Sequence, residues 1–374
     1  MRVTFPHMGM AWVGLRYLLA EIGFEVIVPP PITRATLELG AKHSPEFICL
    51  PFKVMLGNYL EAIAAGADVV MMLGGVGPCR LGYYAEVQRE IMHDLGLPVR
   101  MIVLERDNFI HEIARAVEEA GQRIAWHRLV PLVRLSLAKV SYLDNLEAEV
   151  LRERYREKVQ GSCSKLFAQA VRAVDTADSW TALKRVRAEI GAELHQLLAP
   201  APASPPLRIG VVGEIYMLIE SAVNFRLAER LGQLGASVTR NMYSSNWVRE
   251  HLIPNWRARQ EVRRIARRCK PYLAQRVGGH GFETIGYAVD YAQQGYDGII
   301  QVLPLTCMPE IIAESILPTV SKDYQIPLLT VTLDEHAGEA GLITRLEAFV
   351  DMLAERRANP VSEGGKQIAF SIGR

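Results

Sequence analysis

The chain has 374 residues, 49% hydrophobic and 22% charged, enough for two or three globular domains that fold without a disulfide or metal to hold them. Its 42 basic and 41 acidic residues leave a net charge of +1, which argues against general binding to nucleic acid or to an anionic membrane surface. No apolar run approaches the ~20 residues needed to span a bilayer, so neither a membrane nor a nucleic acid is expected as partner.

The apolar N-terminus is broken by Pro6, His7, Arg16 and Glu21 and lacks a small-residue cleavage site, so it reads as strand, helix, strand and not as a signal peptide. Five cysteines, an odd number without an export signal, point to free, catalytic or metal-bound thiols and a cytoplasmic location. Residues 1–107 alternate apolar runs with amphipathic stretches. The expected strands are 2–5, 25–28, 68–73 and 99–104, and the expected helices 11–22, 54–65 and 83–94. Residues 108–199 are rich in Ala, Leu, Arg, Glu and Lys and read as several helices. The run PAPASPP, residues 200–206, cannot continue a helix and marks a boundary. Residues 207–356 restart the pattern, with strands at 207–212, 237–242, 298–303 and 328–333. Helices are expected at 221–234, 283–294, 310–321 and 341–355. The tail 357–374 is polar and reads as loosely attached. The fold class is α/β: two similar Rossmann-like parallel-sheet units facing a central cleft, with a helical insertion between them.

The halves also echo each other. Gly66-Ala67-Asp68 opens a strand ending in a loop with Cys79, and Gly295-Tyr296-Asp297 opens one ending in a loop with Cys307. A similar distance upstream of each Asp stands Cys49 or His280. In such sheets, ligands bind beyond the carboxyl ends of the strands, so the loops are expected to converge on the cleft.

Cys49 precedes Pro51 at a helix start, Cys79 sits in the glycine-rich GGVGPCRLGYY, and Cys307 sits between a strand and a helix in LPLTCMPE. A single free cysteine is most often simply buried. Three in matching strand-to-helix loops favour a shared site, whereas Cys163 and Cys269 fall in helical segments and read as core. The spacings of 30 and 228 residues lack the close pairs of zinc or ferredoxin motifs, so only the tertiary fold can assemble a site. Soft thiolates leave iron–sulfur, zinc and copper(I) open.

The segments SPEFICLPFKVMLGNYLEAIAAGAD, GPCRLGYY, DGIIQVLPLTCMPE and TLDEHAGEAGLITRLEAFVDML, in that order, resemble the acyl-CoA dehydratase activase-related family. That family is similar to the D-component (β-subunit) of 2-hydroxyacyl-CoA dehydratases and to double-cubane cluster proteins. The resemblance implies a [4Fe–4S] cluster held by Cys49, Cys79 and Cys307, with one cluster and not two because the cysteines are too few. It further implies low-potential electron transfer from an ATP-dependent activase partner, an acyl-CoA substrate and a homodimer. No G-x-x-x-x-G-K-[ST] run is present, so the chain is not expected to be the ATPase. Two roles follow: 2-hydroxyacyl-CoA dehydratase-like catalysis, or a non-catalytic electron-transfer or scaffold subunit.

Around the expected cleft, Arg80 and Lys53 are candidates to stabilise an anionic cofactor or hold a carboxylate or phosphate, with a loop-anchoring salt bridge as the plainer reading. Glu214, Tyr216 and His280 are candidate catalytic groups, His280 also as a ligand or helix cap, and Asn224 a candidate helper. Asp334-Glu335-His336 reads as structural or interfacial, with Glu335 able to pair with Arg345. The run 255–276 holds eight basic residues and one acidic one, the pattern of a solvated helix face or of a dock for an acidic partner or a CoA phosphate.

Overall fold

The computed structural model describes residues 1–74, 79–104, 115, 117–118, 126–251 and 256–359. The first unit is built from β1 (Arg2–Thr4), α1 (Ala11–Ile22), β2 (Glu25–Val26), α2 (Arg34–His43), α3 (Leu50–Ala64), β3 (Val69–Leu73), α4 (Tyr84–Asp94) and β4 (Arg100–Leu104). Three helices follow: α5 (Trp126–Glu153), α6 (Ser162–Thr176) and α7 (Trp180–Leu197). The second unit contains β5 (Leu207–Gly213), α8 (Ile215–Ile219), α9 (Leu227–Gln233), β6 (Ala236–Arg240), α10 (Ser244–His251), α11 (Trp256–Cys269), α12 (Gly281–Gln293), β7 (Gly298–Pro304), α13 (Met308–Tyr324), β8 (Leu328–Leu333) and α14 (Glu339–Ala358). Each sheet has four parallel strands, in the orders β2-β1-β3-β4 and β6-β5-β7-β8. The expected α/β fold with two parallel-sheet units is the one observed. In both orders the chain reverses its direction of travel between the first and third strands, the switch point at which such sheets take their ligands.

The two halves start their sheets with the same device. Asp68 Oδ1 accepts the Arg2 N–H at 2.7 Å, and Asp297 Oδ2 accepts the Arg208 N–H at 2.7 Å. Both aspartates follow a glycine with positive φ, Gly66 at 105° and Gly295 at 71°, which turns the chain from helix into strand. Each short side chain thus pins the third strand to the start of the first, and this explains the repeated Gly-x-Asp.

Three expectations are corrected. Residues 34–43 form α2, which hydrophobic periodicity does not reveal; a Thr33–Thr36 capping box starts it. The expected helix 221–234 is shorter: residues 221–226 form turns and only α9 is helical, because Phe225 and Arg226 take left-handed backbone (φ 54° and 56°). Asn224 fixes that break and has no part in the cleft: its Nδ2 donates to the Met217 carbonyl at 2.6 Å and its Oδ1 accepts the Leu227 N–H at 3.1 Å. The run 256–269 is the helix α11, whereas Asn255, residues 75–78 of the glycine-rich loop, most of 105–125 and the tail from 360 lie outside the described residues.

One apolar core joins the units. Phe52, Met55, Leu56 and Tyr59 of α3 are fully buried in the same cluster as Tyr216, Met217 and Leu218 of α8. Each such side chain contributes about 1.5–3 kcal/mol by leaving water. Polar ties reinforce the contact: the Gly9 N–H donates to Glu220 Oε2 at 3.1 Å and Ser244 Oγ to the Met8 carbonyl at 3.1 Å. Helices α5–α7 form their own core around Cys163 and share it with Val13 and Tyr17 of α1. Residues 200–205 are exposed coil leading into β5. No helix among the described residues is long and apolar enough to cross a membrane.

Candidate functional site

A cleft of about 380 Å³, including its open mouth, lies where loops from both units meet. Cys49, Cys79 and Cys307 all line it, together with Arg80, Tyr84, Glu214 and Thr306. Cys49 is the N-cap of α3, with Pro51 in the first turn, and Cys307 is the N-cap of α13, with Pro309 there. Cys79 begins the 3₁₀ turn Arg80–Tyr83 after β3. All three cysteines, distant in sequence, thus line one cleft.

The fourth wall comes from β5. Gly213, at φ 145°, ends the strand where a Cβ would stand 1.9 Å from the Val302 carbonyl oxygen, so only glycine fits. This turn delivers Glu214, the N-cap of α8, whose Oε2 accepts the Met217 N–H at 3.0 Å. Burial outweighs that bond and lifts the Glu214 carboxyl to about 7.

Burial likewise pushes the Cys49 thiol up to about 11, against a 2.6 Å hydrogen bond with the Tyr84 hydroxyl. Cys79 and Cys307 are raised by burial too, and the charge of Glu214 adds to the rise of all three. Thiols so placed stay protonated until a cation compensates them. Among the described residues, no group of three or more His, Cys, Asp or Glu side chains is arranged to hold a metal ion. The shared cleft brings together three cysteine side chains, the donor type that suits soft metals once deprotonated.

The two rims are clipped together. Arg80 Nη1 and Thr306 Oγ1 both donate to the Phe47 carbonyl, at 2.9 and 3.2 Å. Thr306 pays for its place with left-handed backbone, φ 67°, about 1 kcal/mol of strain beside Cys307. Arg80 thus combines the loop-anchoring and cleft-lining readings. Phe47, Tyr83, Leu305 and Ile311, each one or two residues in sequence from a lining residue, are exposed.

Other candidates lie elsewhere. Lys53 is buried, donates to the Glu46 carbonyl at 2.9 Å and forms an ion pair with Glu335, so it does not line the cleft. Glu335 therefore does not pair with Arg345, which donates to the Thr330 carbonyl. Burial opposes ionisation of Glu335, but Lys53 outweighs it and holds the carboxyl below its ordinary value. Asp334 accepts the His336 N–H at 2.9 Å, and the His336 ring is exposed. Tyr216 is fully buried in the core between the units and is not part of the cleft lining. His280 is the N-cap of α12, the counterpart of Cys49, yet it does not line the cleft either; its neighbour Gly279 does run beside Cys79, with a Cβ there 3.9 Å from the Cys79 Cβ. Tyr84 and Thr306 were not singled out in the sequence; an aromatic five residues after a loop cysteine is the sole signal for the first, and none exists for the second.

The family model described as 2-hydroxyglutaryl-CoA dehydratase, D-component, matches residues 22–353. The chain belongs to this family. Its match contains every residue of the cleft lining, from Cys49 to Pro309, and both sheets apart from β1. The D-component match thus agrees with the resemblance carried by the four ordered motifs. Among curated proteins, no individual one matches the chain significantly.

Proposed function

We propose that this D-component family member holds one [4Fe–4S] cluster through Cys49, Cys79 and Cys307 and acts, with an ATP-dependent activase partner as electron donor, in dehydration of a 2-hydroxyacyl-CoA, as a cytoplasmic homodimer. The observation that supports this most is the convergence of the three thiols on one cleft in a chain of this family. A cluster bound there would supply low-potential one-electron chemistry.

The chain's own residues do the rest. The Tyr84 hydroxyl hydrogen-bonds the Cys49 sulfur and so tunes the charge that sulfur carries. Glu214 sets a carboxyl group inside the cleft, oriented by the Met217 N–H. Arg80, anchored through one nitrogen at the mouth, keeps N–H groups for an anionic ligand. The packed walls of Pro51, Leu81, Pro304 and Pro309 limit water around the thiols.

The test is turnover of a 2-hydroxyacyl-CoA by oxygen-free, cluster-reconstituted protein with activase, ATP and a reductant, followed by chromatography of the thioesters. Formation of the enoyl-CoA is expected. Reduction of the cluster without any dehydration would replace this reading with the electron-transfer or scaffold role.

A further inference from the structure

Helix α11 carries six arginines and one acidic residue, Glu261, over 14 positions. We infer that its outer row of charges, Arg259, Arg263 and Arg267 with Lys270, is the surface on which the ATP-dependent electron donor docks through an acidic face; this rests on the activase partner proposed above.

The arginines divide by task. Arg264 and Arg268 turn inward to Asp290 of α12, and Arg264 also pairs with Glu261. Arg257 lies over the Trp256 ring. Arg259, Arg263 and Arg267 are exposed, and among the described residues they form no ion pair. Their spacing of four sets them in one row, and Lys270, whose N–H still donates to the Ala266 carbonyl at 3.0 Å, extends it. Helical rise makes the row about 16 Å long. Folding gives no reason for it, because like charges four residues apart repel and weaken a helix.

The opposite side of α11 is already in use. Cys269 is buried in a core with Phe282 and Ile285 of α12, and Ile265 is buried against Gly286. With that side taken, α11 does not offer a membrane the apolar face that an interfacial helix needs. The cavity of about 240 Å³ between α11 and α12, including its open mouth, has Glu250, Glu283 and Arg276 as its charged lining, a mainly acidic set that repels a CoA phosphate. The charge balance decides between the remaining polyanions. The chain holds 42 basic and 41 acidic residues, so without the four members of the row it is net acidic. A nucleic acid or a lipid surface extends past the row and meets that excess of carboxylates, whereas a protein face can match the row alone.

The position of the row fits an electron donor. α12 begins beside the cleft: a Cβ at Gly281 would stand 2.1 Å from the carbonyl oxygen of Pro309, a residue of the cleft lining. Ile265 and Ala266 of α11 share a cavity with Phe282 and Glu283, the next two residues of α12. The row is thus separated from the cleft wall by α12 alone, a distance that an ordinary interface of about 800 Å² per partner spans.

The test compares wild type with the triple variant Arg259→Gln, Arg263→Gln, Arg267→Gln and with a control, Lys165→Gln, Arg172→Gln, Lys184→Gln. The control removes the same charge from exposed positions on α6 and α7. Glutamine keeps good helix propensity, and thermal melting checks folding. Activase is the probe, and its binding to each immobilised protein is followed by interferometry at low and high salt. Each chain is tested with and without reconstituted iron, so that binding is read apart from reduction. Sedimentation reports self-association, and phosphatidylglycerol vesicles report membrane binding. The α11 variant is expected to bind activase about tenfold more weakly at low salt, mostly through slower association, and to converge with wild type at high salt, while the control matches wild type. An α11 variant that binds as tightly as wild type, or a control that loses as much, would overturn the docking surface and leave the activase partnership intact. Self-association or vesicle binding lost in the α11 variant, with activase binding unchanged, would overturn it by giving the row to a second copy or to a membrane. A wild-type chain that binds no activase would remove the partner proposed above, and its docking surface with it.

Discussion

The two parallel-sheet units share a strand order and an Asp-pinned sheet start, but they supply the cleft from different loops. The first contributes Cys49, before α3, and Cys79, after β3; the second contributes Glu214, after β5, and Cys307, after β7. The loops that do not contribute are occupied: His7 is bound to proline carbonyls, and His280 caps α12 outside the lining. A duplicated scaffold therefore gives one asymmetric site, in which the repeat fixes where loops emerge and single residues decide which loops do chemistry.

The largest effect that bears on this comparison is on the thiols. Replacing Cys49, Cys79 or Cys307 singly with Ser is expected to lower reconstituted iron about tenfold or more, whereas Cys163→Ser, in the core of α5–α7, leaves it unchanged. Equal losses from either unit would show that both are needed; full iron in Cys307→Ser would confine the site to the first unit.

The helix pairs that carry Cys49 and His280 differ in how closely they pack. A Cβ at Gly40 would stand 1.7 Å from the Lys53 carbonyl oxygen, backbone that cannot move alone, whereas at Gly286 the nearest atom is the Ile265 Cγ2 at 2.5 Å. Gly40→Ala is expected to cost about 3 kcal/mol or more and Gly286→Ala about 1–2 kcal/mol, read from chemical denaturation. The reverse order would mean that the α11–α12 pair is the tighter one.

Lys53→Met removes the ion pair to Glu335 that ties the first unit to the end of β8. A loss of about 1–2 kcal/mol is expected, because Glu335 can still turn toward water, with iron content unchanged. A large loss of iron would return Lys53 to the site.

Glu220 tests the contact between units through pH. Burial raises its carboxyl to about 7, with the nearby Glu147 adding to the rise and the Gly9 N–H and Arg240 opposing it. The folded state thus binds a proton that the unfolded chain, titrating near its ordinary value of 4.5, has already lost. Stability falls as pH rises from about 4.5 through 7. Denaturation at pH 5 and pH 8 should show wild type losing about 2–3 kcal/mol more than Glu220→Gln over that range. Equal losses would show that Glu220 is ionised in the folded protein at both values.

Much of this was legible in the sequence for physical reasons. Parallel strands buried on both faces read as continuous apolar runs, as in Gly298–Pro304, and Gly-x-Asp at both sheet starts marks the repeat. The three loop cysteines were visible because their flanking Gly and Pro residues announce strand-to-helix turns. What stayed hidden depends on direction, not residue type. Lys53 and Arg80 are both cations near a cysteine, but helix geometry aims one at Glu335, whereas Arg80 lines the cleft and donates to the Phe47 carbonyl. Glu214 and Tyr216 are two residues apart, yet one lines the cleft and the other fills the core, because α8 begins between them. The break between α8 and α9 depends on left-handed Phe225 and Arg226, which neither residue type announces.

Iron and acid-labile sulfide analysis of wild-type protein, purified and reconstituted without oxygen, tests the central claim most directly. The account predicts a brown protein with one [4Fe–4S] cluster per chain and an EPR signal on reduction. A folded, colourless protein that binds neither iron nor sulfide would contradict it.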